Sequence, residues 1–192
     1  IYSSKWKKYE HNFPFEARID SIVSWFSLPL KERPRFCSLY FHEPDWTGHE
    51  TGPRSQETEA VVLHLDSLFG DLISKLEQLP ISNNLNIIAV ADHGMAEISS
   101  ERTVDLSAYT NMSHIIQEGS GPYAFLYSKR KNIIEPAVDQ LKKAEHISVY
   151  LKSDIPDRYH FKNHHRIKDA LIVADEGWYI QNQAISSSST AG

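Results

Sequence analysis

Apolar side chains recur along this chain at two spacings, which predict helices and strands respectively. Steps of three and four residues, typical of one helix face, occur after Pro14, and Pro29 ends that pattern. A longer run of the same steps follows Ser55, a residue type favoured at helix N-caps. The apolar face of the first predicted helix carries Ile19, Ile22, Val23 and Phe26, and that of the second carries Val61, Leu65, Leu68, Leu72, Leu76 and Leu79.

Short apolar runs without helical spacing predict strands on either side of the longer helix. Residues 36–42 and 85–91 are such runs, and the second is almost wholly aliphatic, as expected of a parallel strand covered on both faces. Residues 36–91 therefore predict a strand, a long loop at 43–53, a helix and a second strand. Such units almost always join parallel strands in a right-handed crossover.

The second half of the chain continues the alternation of strands and helices. Apolar runs predict strands at Tyr123–Tyr127, Ile147–Leu151 and Ala170–Ala174, a short helix over 136–145, and a polar loop over 154–168. The predicted fold class is α/β, with a mostly parallel sheet sandwiched by helices.

Composition narrows the class of protein further. The chain has 192 residues, 41% of them hydrophobic, which is enough for one domain with a sizeable core. The net charge is −5 and acids and bases are mixed, so we expect no nucleic-acid-binding module. No apolar run approaches the roughly 20 residues of a membrane helix. Cys37 is the single cysteine and is expected to be a core thiol.

An acid and an imidazole follow each strand of the predicted crossover unit. Asp45 and His49 lie four positions apart in the loop after the first strand, and Asp92-His93 directly follows the second. The carboxyl ends of parallel strands meet at one sheet edge, where ligands bind in open α/β sheets. Carboxylate oxygen and imidazole nitrogen suit Zn²⁺, Mn²⁺ or iron. Gly94 allows the backbone to leave the strand pleat, so that both side chains of the second pair face one ion.

Structural alternatives stay open for each of these residues taken alone. Asp45 follows a proline, as turn residues often do, and His49 fits an ordinary surface histidine. Asp92 fits a cap of the next segment, and Tyr40 a strand aromatic. Histidines also occur in the polar loop at 160, 164 and 165, where no second motif accompanies them, and they are interpreted as solvated loop residues.

These motifs resemble those of a known family. The stretch EPDxxGHxxGP starting at Glu43 and ADHGM starting at Ala91 resemble the nucleotide pyrophosphatase/phosphodiesterase family of the alkaline phosphatase superfamily. FPFEARID from Phe13, IPDRYHF from Ile155 and ADEGW from Ala174 are similar to further landmarks, in family order.

The resemblance implies an alkaline phosphatase-like fold and a phosphodiesterase that uses two Zn²⁺ ions. It implies that Asp45 and His49 ligate one zinc and that Asp92 and His93 ligate the other. It also implies that Tyr40 lines the pocket of the nucleotide base. In the family a threonine attacks phosphorus and becomes covalently nucleotidylated. Water then hydrolyses this intermediate and releases the product. The implied substrate is a nucleotide or another phosphodiester, and the implied location is extracytoplasmic: periplasmic, secreted or an ectodomain.

The family pattern extends beyond what these 192 residues contain. The family places the nucleophilic threonine and an aspartate of the second zinc site before the position of Ile1. It places a histidine of the first zinc site in a His-Gly motif after Trp178, and residues 179–192 do not contain that motif. Thr47 lies inside the metal loop and is not assigned as the nucleophile. Together with the polar Ser186–Gly192 end, this predicts that residues 1–192 are part of one catalytic domain, inactive in isolation, that lacks the nucleophile segment and the last metal-ligand segment.

Two functional alternatives remain. A cousin within the superfamily, namely a phosphomonoesterase, a phosphonate hydrolase or a lysophospholipase C, shares the metal residues and differs around the leaving group. A catalytically silent relative that serves as a binding domain fits a protein without the nucleophile, although all four expected ligand positions are intact here. The sequon Asn111-Met112-Ser113 is consistent with a secretory location.

Overall fold

The computed structural model describes residues 4–181, and the predicted loop at 186–192 lies outside these described residues. The chain divides into two compact units at Met95 and Ala96. The first contains helices and extended segments, and the second contains the paired strands. No helix among residues 4–181 combines the length and apolar character that crossing a membrane requires.

The first unit is built on two packed helices. Its helices are α1 (Phe15–Phe26), α2 (Asp45–Thr51) and α3 (Gln56–Glu77), and a short 3₁₀ turn (Ser82–Asn84) follows. The predicted cap at Ser55 is confirmed, because its hydroxyl accepts a hydrogen bond from the Thr58 amide at 3.1 Å. The predicted apolar stripes of α1 and α3 form the core of this unit. Its buried members are Ile19, Ile22, Leu68, Leu72 and Leu76.

The two strands predicted in this unit do not form within residues 4–181. Segment 36–42 is extended, and its alternate residues Cys37, Leu39 and Phe41 pack on the helical core. Segment 85–91 is also unpaired, and the Ile88 and Val90 side chains are 84% and 85% exposed. The prediction of a hydrogen-bonded, doubly covered strand is therefore wrong for the described structure, because no neighbouring strand satisfies the backbone groups of either segment.

The second unit is a four-stranded sheet covered by one helix. Strands β2 (Ile116–Glu118), β3 (Tyr123–Tyr127), β4 (Ile147–Leu151) and β5 (Ala170–Ala174) pair in the order β2-β3-β5-β4, with every pairing antiparallel. A separate parallel pair joins β1 (Thr103–Val104) to β6 (Tyr179–Ile180). Helix α4 (Ile134–Leu141) buries its apolar face against the larger sheet.

The predicted elements of the second unit are largely confirmed. The three predicted strands appear with the predicted bounds. Helix α4 begins two residues before the predicted start and ends four residues before the predicted end. The predicted α/β class is confirmed, although the described strands pair mostly antiparallel rather than mostly parallel. Short 3₁₀ turns complete the unit at Leu106–Ala108, Lys152–Asp154 and Asp157–Tyr159.

Candidate metal centre

Asp45 and His49 lie on one face of a short helix rather than in an open loop. Helix α2 places them one turn apart, and His49 Nε2 lies 3.4 Å from an Asp45 carboxylate oxygen. Residues four apart on a helix are neighbours on its surface. Both side chains are solvent-accessible, 52% for Asp45 and 69% for His49. The helix thus presents an oxygen and a nitrogen donor side by side.

The start of α2 is stabilised by a residue that the sequence reasoning did not single out. Pro44 precedes the helix after a cis peptide bond and offers no side-chain cap. Glu43 supplies it instead: its carboxylate accepts hydrogen bonds from the Thr47 amide and the Thr47 hydroxyl, both at 3.0 Å. A carboxylate at this position also interacts favourably with the positive end of the helix. The Thr47 hydroxyl therefore contributes to the cap of α2.

Asp92 and His93 form the second pair on an extended, exposed segment. His93 Nε2 lies 3.7 Å from an Asp92 carboxylate oxygen, and the Asp92 carboxylate accepts from the His93 amide at 3.1 Å. His93 Nδ1 lies 3.0 Å from the Gly94 carbonyl oxygen. That hydrogen bond raises the pKa of His93, and the negative charges of Asp92 and Asp45 raise it further. The field of Asp45 therefore reaches the second pair.

A glycine contact brings the two motifs close to each other. Gly48 is buried on α2, and a Cβ at this position would lie only 2.7 Å from the Met95 Sδ atom. The Met95 side chain thus occupies the space that a side chain at position 48 would fill, which explains the glycine at this position. Both Gly48 and Met95 lie in the motifs that carry the metal residues. This contact positions the segment after Asp92-His93 beside α2.

The four predicted ligands are arranged as two pairs. Among residues 4–181, no three His, Cys, Asp or Glu side chains are grouped so as to hold a metal ion. Each pair nevertheless offers one carboxylate oxygen and one imidazole nitrogen, a donor set that suits zinc. The residues present therefore fit half of the coordination shell of each of two ions, and further donors are required for tight binding.

Tyr40 lies just before the first pair with its side chain accessible. Its ring is 61% exposed and 6.0 Å from the Tyr9 ring. Its carbonyl accepts a hydrogen bond from the buried Arg18 guanidinium at 2.9 Å. The backbone is thus fixed from inside while the ring faces solvent, as a base-stacking role requires. By contrast, His160, His164 and His165 are exposed residues of the second unit.

Comparison with known proteins assigns the chain to a family. The family model described as "Type I phosphodiesterase / nucleotide pyrophosphatase" matches residues 1–190. The chain belongs to this family.

Individual relatives agree with the family match. The human bis(5'-adenosyl)-triphosphatase ENPP4 is 36% identical over 181 residues, which is 93% of this chain and 39% of the relative. Venom phosphodiesterase 2 of Crotalus adamanteus is 35% identical over 185 residues, 92% of this chain and 23% of the relative. The chain spans less than half the length of the relatives it matches.

Solved structures confirm the fold assignment. Murine ectonucleotide pyrophosphatase/phosphodiesterase 5 superposes with a TM-score of 0.75 at 35% identity, covering 93% of this chain and 48% of that one. An inactive form of the same murine protein, solved in complex with AMP, matches with the same TM-score. The alkaline phosphatase-like fold expected from the sequence is thus shown for the part of the fold that this chain represents.

Proposed function

We propose that this chain contributes four metal ligands and a substrate-binding residue to a hydrolase that cleaves phosphodiester or pyrophosphate bonds of nucleotides. The family match across residues 1–190 carries the proposal, since both metal motifs occur within it. The names of relatives support the substrate class, because they include a bis(5'-adenosyl)-triphosphatase and a venom phosphodiesterase.

Asp45 and His49 are proposed to hold one zinc ion, and Asp92 and His93 the other. Two zinc ions, when bound, supply positive charge that stabilises the attacking and leaving oxygens of an in-line displacement at phosphorus. The side chains of this chain orient those ions. The α2 backbone fixes the first pair, and the contact between Gly48 and Met95 fixes the segment that follows the second.

Tyr40 is proposed to pack against the nucleotide base. Its exposed ring offers a π-face, and Arg18 holds its backbone from the buried side. We propose that the nucleophile is a threonine outside residues 1–192, which forms a covalent nucleotidyl intermediate. Thr47 is not assigned this role, because it lies inside the metal loop.

An extracytoplasmic location belongs to the same proposal. The Asn111 side chain of the sequon is exposed, and its oxygen accepts a hydrogen bond from the Ser113 amide at 2.9 Å. An exposed sequon is accessible to the glycosylation machinery of a secretory pathway. Treatment of the secreted protein with a glycosidase and comparison with Asn111→Gln tests this point.

Hydrolysis of p-nitrophenyl thymidine monophosphate by the full-length parent protein tests the function. We expect cleavage that depends on zinc, is lost after chelation and exceeds the cleavage of p-nitrophenyl phosphate. Asp92→Asn and His49→Ala should lower turnover at least about a hundred-fold, since each removes a metal ligand. His114→Gln, an exposed histidine in the second unit, is the matched control and should retain full turnover.

The remaining outcomes separate the alternatives. Preference for the monoester assigns the parent to a phosphomonoesterase cousin. Cleavage of neither compound, with zinc bound, favours the silent relative or a different phosphodiester such as a lysophospholipid. Unchanged turnover in Asp92→Asn contradicts the proposed metal site directly.

A further inference from the structure

The second unit contains a pocket that the metal motifs do not account for. It has a volume of about 480 Å³, within the range of small-molecule sites. Its wall is formed by the loop that precedes β5, by Phe125 of β3 and by Glu118 of β2. Every lining residue belongs to the second unit, whereas the candidate metal ligands belong to the first.

Aromatic surface is one component of the pocket wall. Phe125 and Phe161 lie with ring centroids 5.9 Å apart and ring planes inclined by 34°. The Phe161 side chain is 42% exposed, so part of its surface is available to a ligand. An accessible aromatic face in a concave site favours a flat, π-rich ligand group, such as a nucleic acid base that stacks on the ring.

Positive charge is the second component. Two of the three cations on the wall are neutralised within the second unit: Lys162 pairs with Asp157 at 2.6 Å, and Lys168 pairs with Glu118 at 3.0 Å. Within residues 4–181 the guanidinium of Arg166, the third cation, forms no salt bridge and no hydrogen bond. A guanidinium can bind the oxygens of a phosphate in a bidentate manner.

The loop that carries Phe161 and Arg166 is anchored by its own hydrogen bonds. The His164 carbonyl accepts from Lys152 Nζ at 2.9 Å and from the Ile167 amide at 3.2 Å. His164 Nδ1 accepts from the Arg166 amide at 3.2 Å. An anchored loop loses less conformational freedom when it binds a ligand, which favours affinity.

We infer that this pocket binds an anionic aromatic ligand of the nucleoside monophosphate class, with the base on Phe161 and the phosphate on Arg166. One aromatic face and one uncompensated cation match one base and one phosphate group. The inference is independent of turnover at the metal centre, because it concerns binding alone.

Isothermal titration of the 192-residue chain with AMP, in the presence of a chelator, tests the inference. We expect one site, with adenosine and inorganic phosphate each binding at least about ten-fold more weakly than AMP. Phe161→Leu and Arg166→Gln should each raise the Kd for AMP about ten-fold. Lys143→Gln, an exposed cation beyond the C-terminus of α4, should leave the Kd unchanged.

A second set of variants locates the bound nucleotide. Phe36→Ala removes an exposed ring of the first unit and should leave the Kd for AMP unchanged under chelation. Amide chemical shifts of residues 160–168 should move on addition of AMP. Loss of AMP binding in Phe36→Ala, binding that Phe161→Leu does not weaken, or no binding at millimolar AMP would each overturn the inference. None of these outcomes bears on hydrolysis by the full-length parent, which the chromogenic assay measures.

Discussion

At the scale of single residues, Arg18 connects the segments that surround the candidate site. Its side chain is 9% exposed and lies 4.9 Å from the centre of the Phe15 ring. A buried guanidinium is tolerated only when its donors are satisfied. Here they are, because four backbone carbonyls accept from it at 2.9–3.1 Å: those of Glu10, His11, Phe13 and Tyr40.

Arg18→Lys should lower the free energy of unfolding by about 2–3 kcal/mol. An ammonium cannot reproduce the planar set of donors, and at least one buried carbonyl loses a charged partner. Urea denaturation followed by circular dichroism measures the change. Arg35→Lys, an exposed arginine, provides the control and should stay within about 0.5 kcal/mol of the parent chain. Equal effects of the two substitutions would refute a specific role for Arg18.

His42 is the residue whose environment makes stability depend on pH. Its ring stacks on His11 with centroids 4.0 Å apart, and its Nδ1 is buried without a hydrogen-bond partner among the described residues. Burial lowers the pKa of His42 below 6.5, and the positive charges of His11 and Arg18 lower it further, while Glu43 opposes this. The folded state therefore favours the neutral ring.

The contribution of His42 to stability should consequently fall as the pH drops below 6.5. The unfolded chain takes up the His42 proton near pH 6.5 and the folded chain only at lower pH, so between these values the unfolded state binds more protons. The contribution is fully present above pH 6.5 and is lost as the pH falls through the folded pKa. Urea midpoints at pH 7.5 and 5.5 measure this loss, which should be smaller in His42→Gln than in the parent chain. His114→Gln should retain the full pH dependence; a parallel reduction in both variants would contradict the assignment.

At the scale of elements, α3 shows how local sequence determines a helix. Ser55 caps it, Glu57 and Glu59 lie in its first turn, and Lys75 pairs with Asp20 and Asp71 at 2.8 Å near its end. Each of these features stabilises one end of a helix. The start of α3 could therefore be predicted from the sequence alone, whereas the helix ends at Glu77, two residues before the predicted apolar face ended at Leu79.

Ser55→Ala should destabilise the chain by about 1 kcal/mol, because the Thr58 amide loses its acceptor. The same substitution at Ser74, an exposed interior position of α3, removes no cap and should be neutral or slightly stabilising. Thermal melting of both variants measures the difference. If Ser74→Ala proves as destabilising as Ser55→Ala, capping is not the cause.

Helix α2 shows the opposite behaviour, since its seven residues were predicted as loop. Pro44, Gly48, Gly52 and Pro53 are loop-forming residues, and they outweighed the helical spacing of the Asp45/His49 pair. The helix forms because Glu43 caps it and because Gly48 packs against Met95, 47 positions further along the chain. Such a distant contact leaves no local signal.

At the scale of the whole molecule, one exposed apolar segment favours association between copies of the chain. Residues 85–91 form no helix, pair with no strand within residues 4–181 and are rich in exposed aliphatic side chains. Unpaired, apolar extended segments are templates for association between chains. We therefore expect the 192-residue chain to self-associate.

The double substitution Ile88→Lys and Val90→Lys should reduce this self-association. Charges on an exposed segment oppose edge-to-edge pairing, and neither side chain contributes to the buried core. Sedimentation velocity at several concentrations should show a shift toward the monomer, with an unchanged thermal transition. Val62→Lys and Leu63→Lys, on the exposed face of α3, are the matched control and should not change the distribution.

The sequence by itself determined the features that depend on near neighbours. Hydrophobic periodicity and capping predicted α1 and α3, and apolar runs predicted β3, β4 and β5. The sequence motifs identified the family that the comparisons confirm. The tertiary structure decided the rest, because hydrogen-bond partners of an extended segment lie far away in sequence. Within residues 4–181 it left 36–42 and 85–91 without a strand partner, made the four-stranded sheet of the second unit antiparallel, and placed Met95 on Gly48. It likewise brought Phe125 and Phe161 together, 36 positions apart, in a pocket that no local pattern indicates.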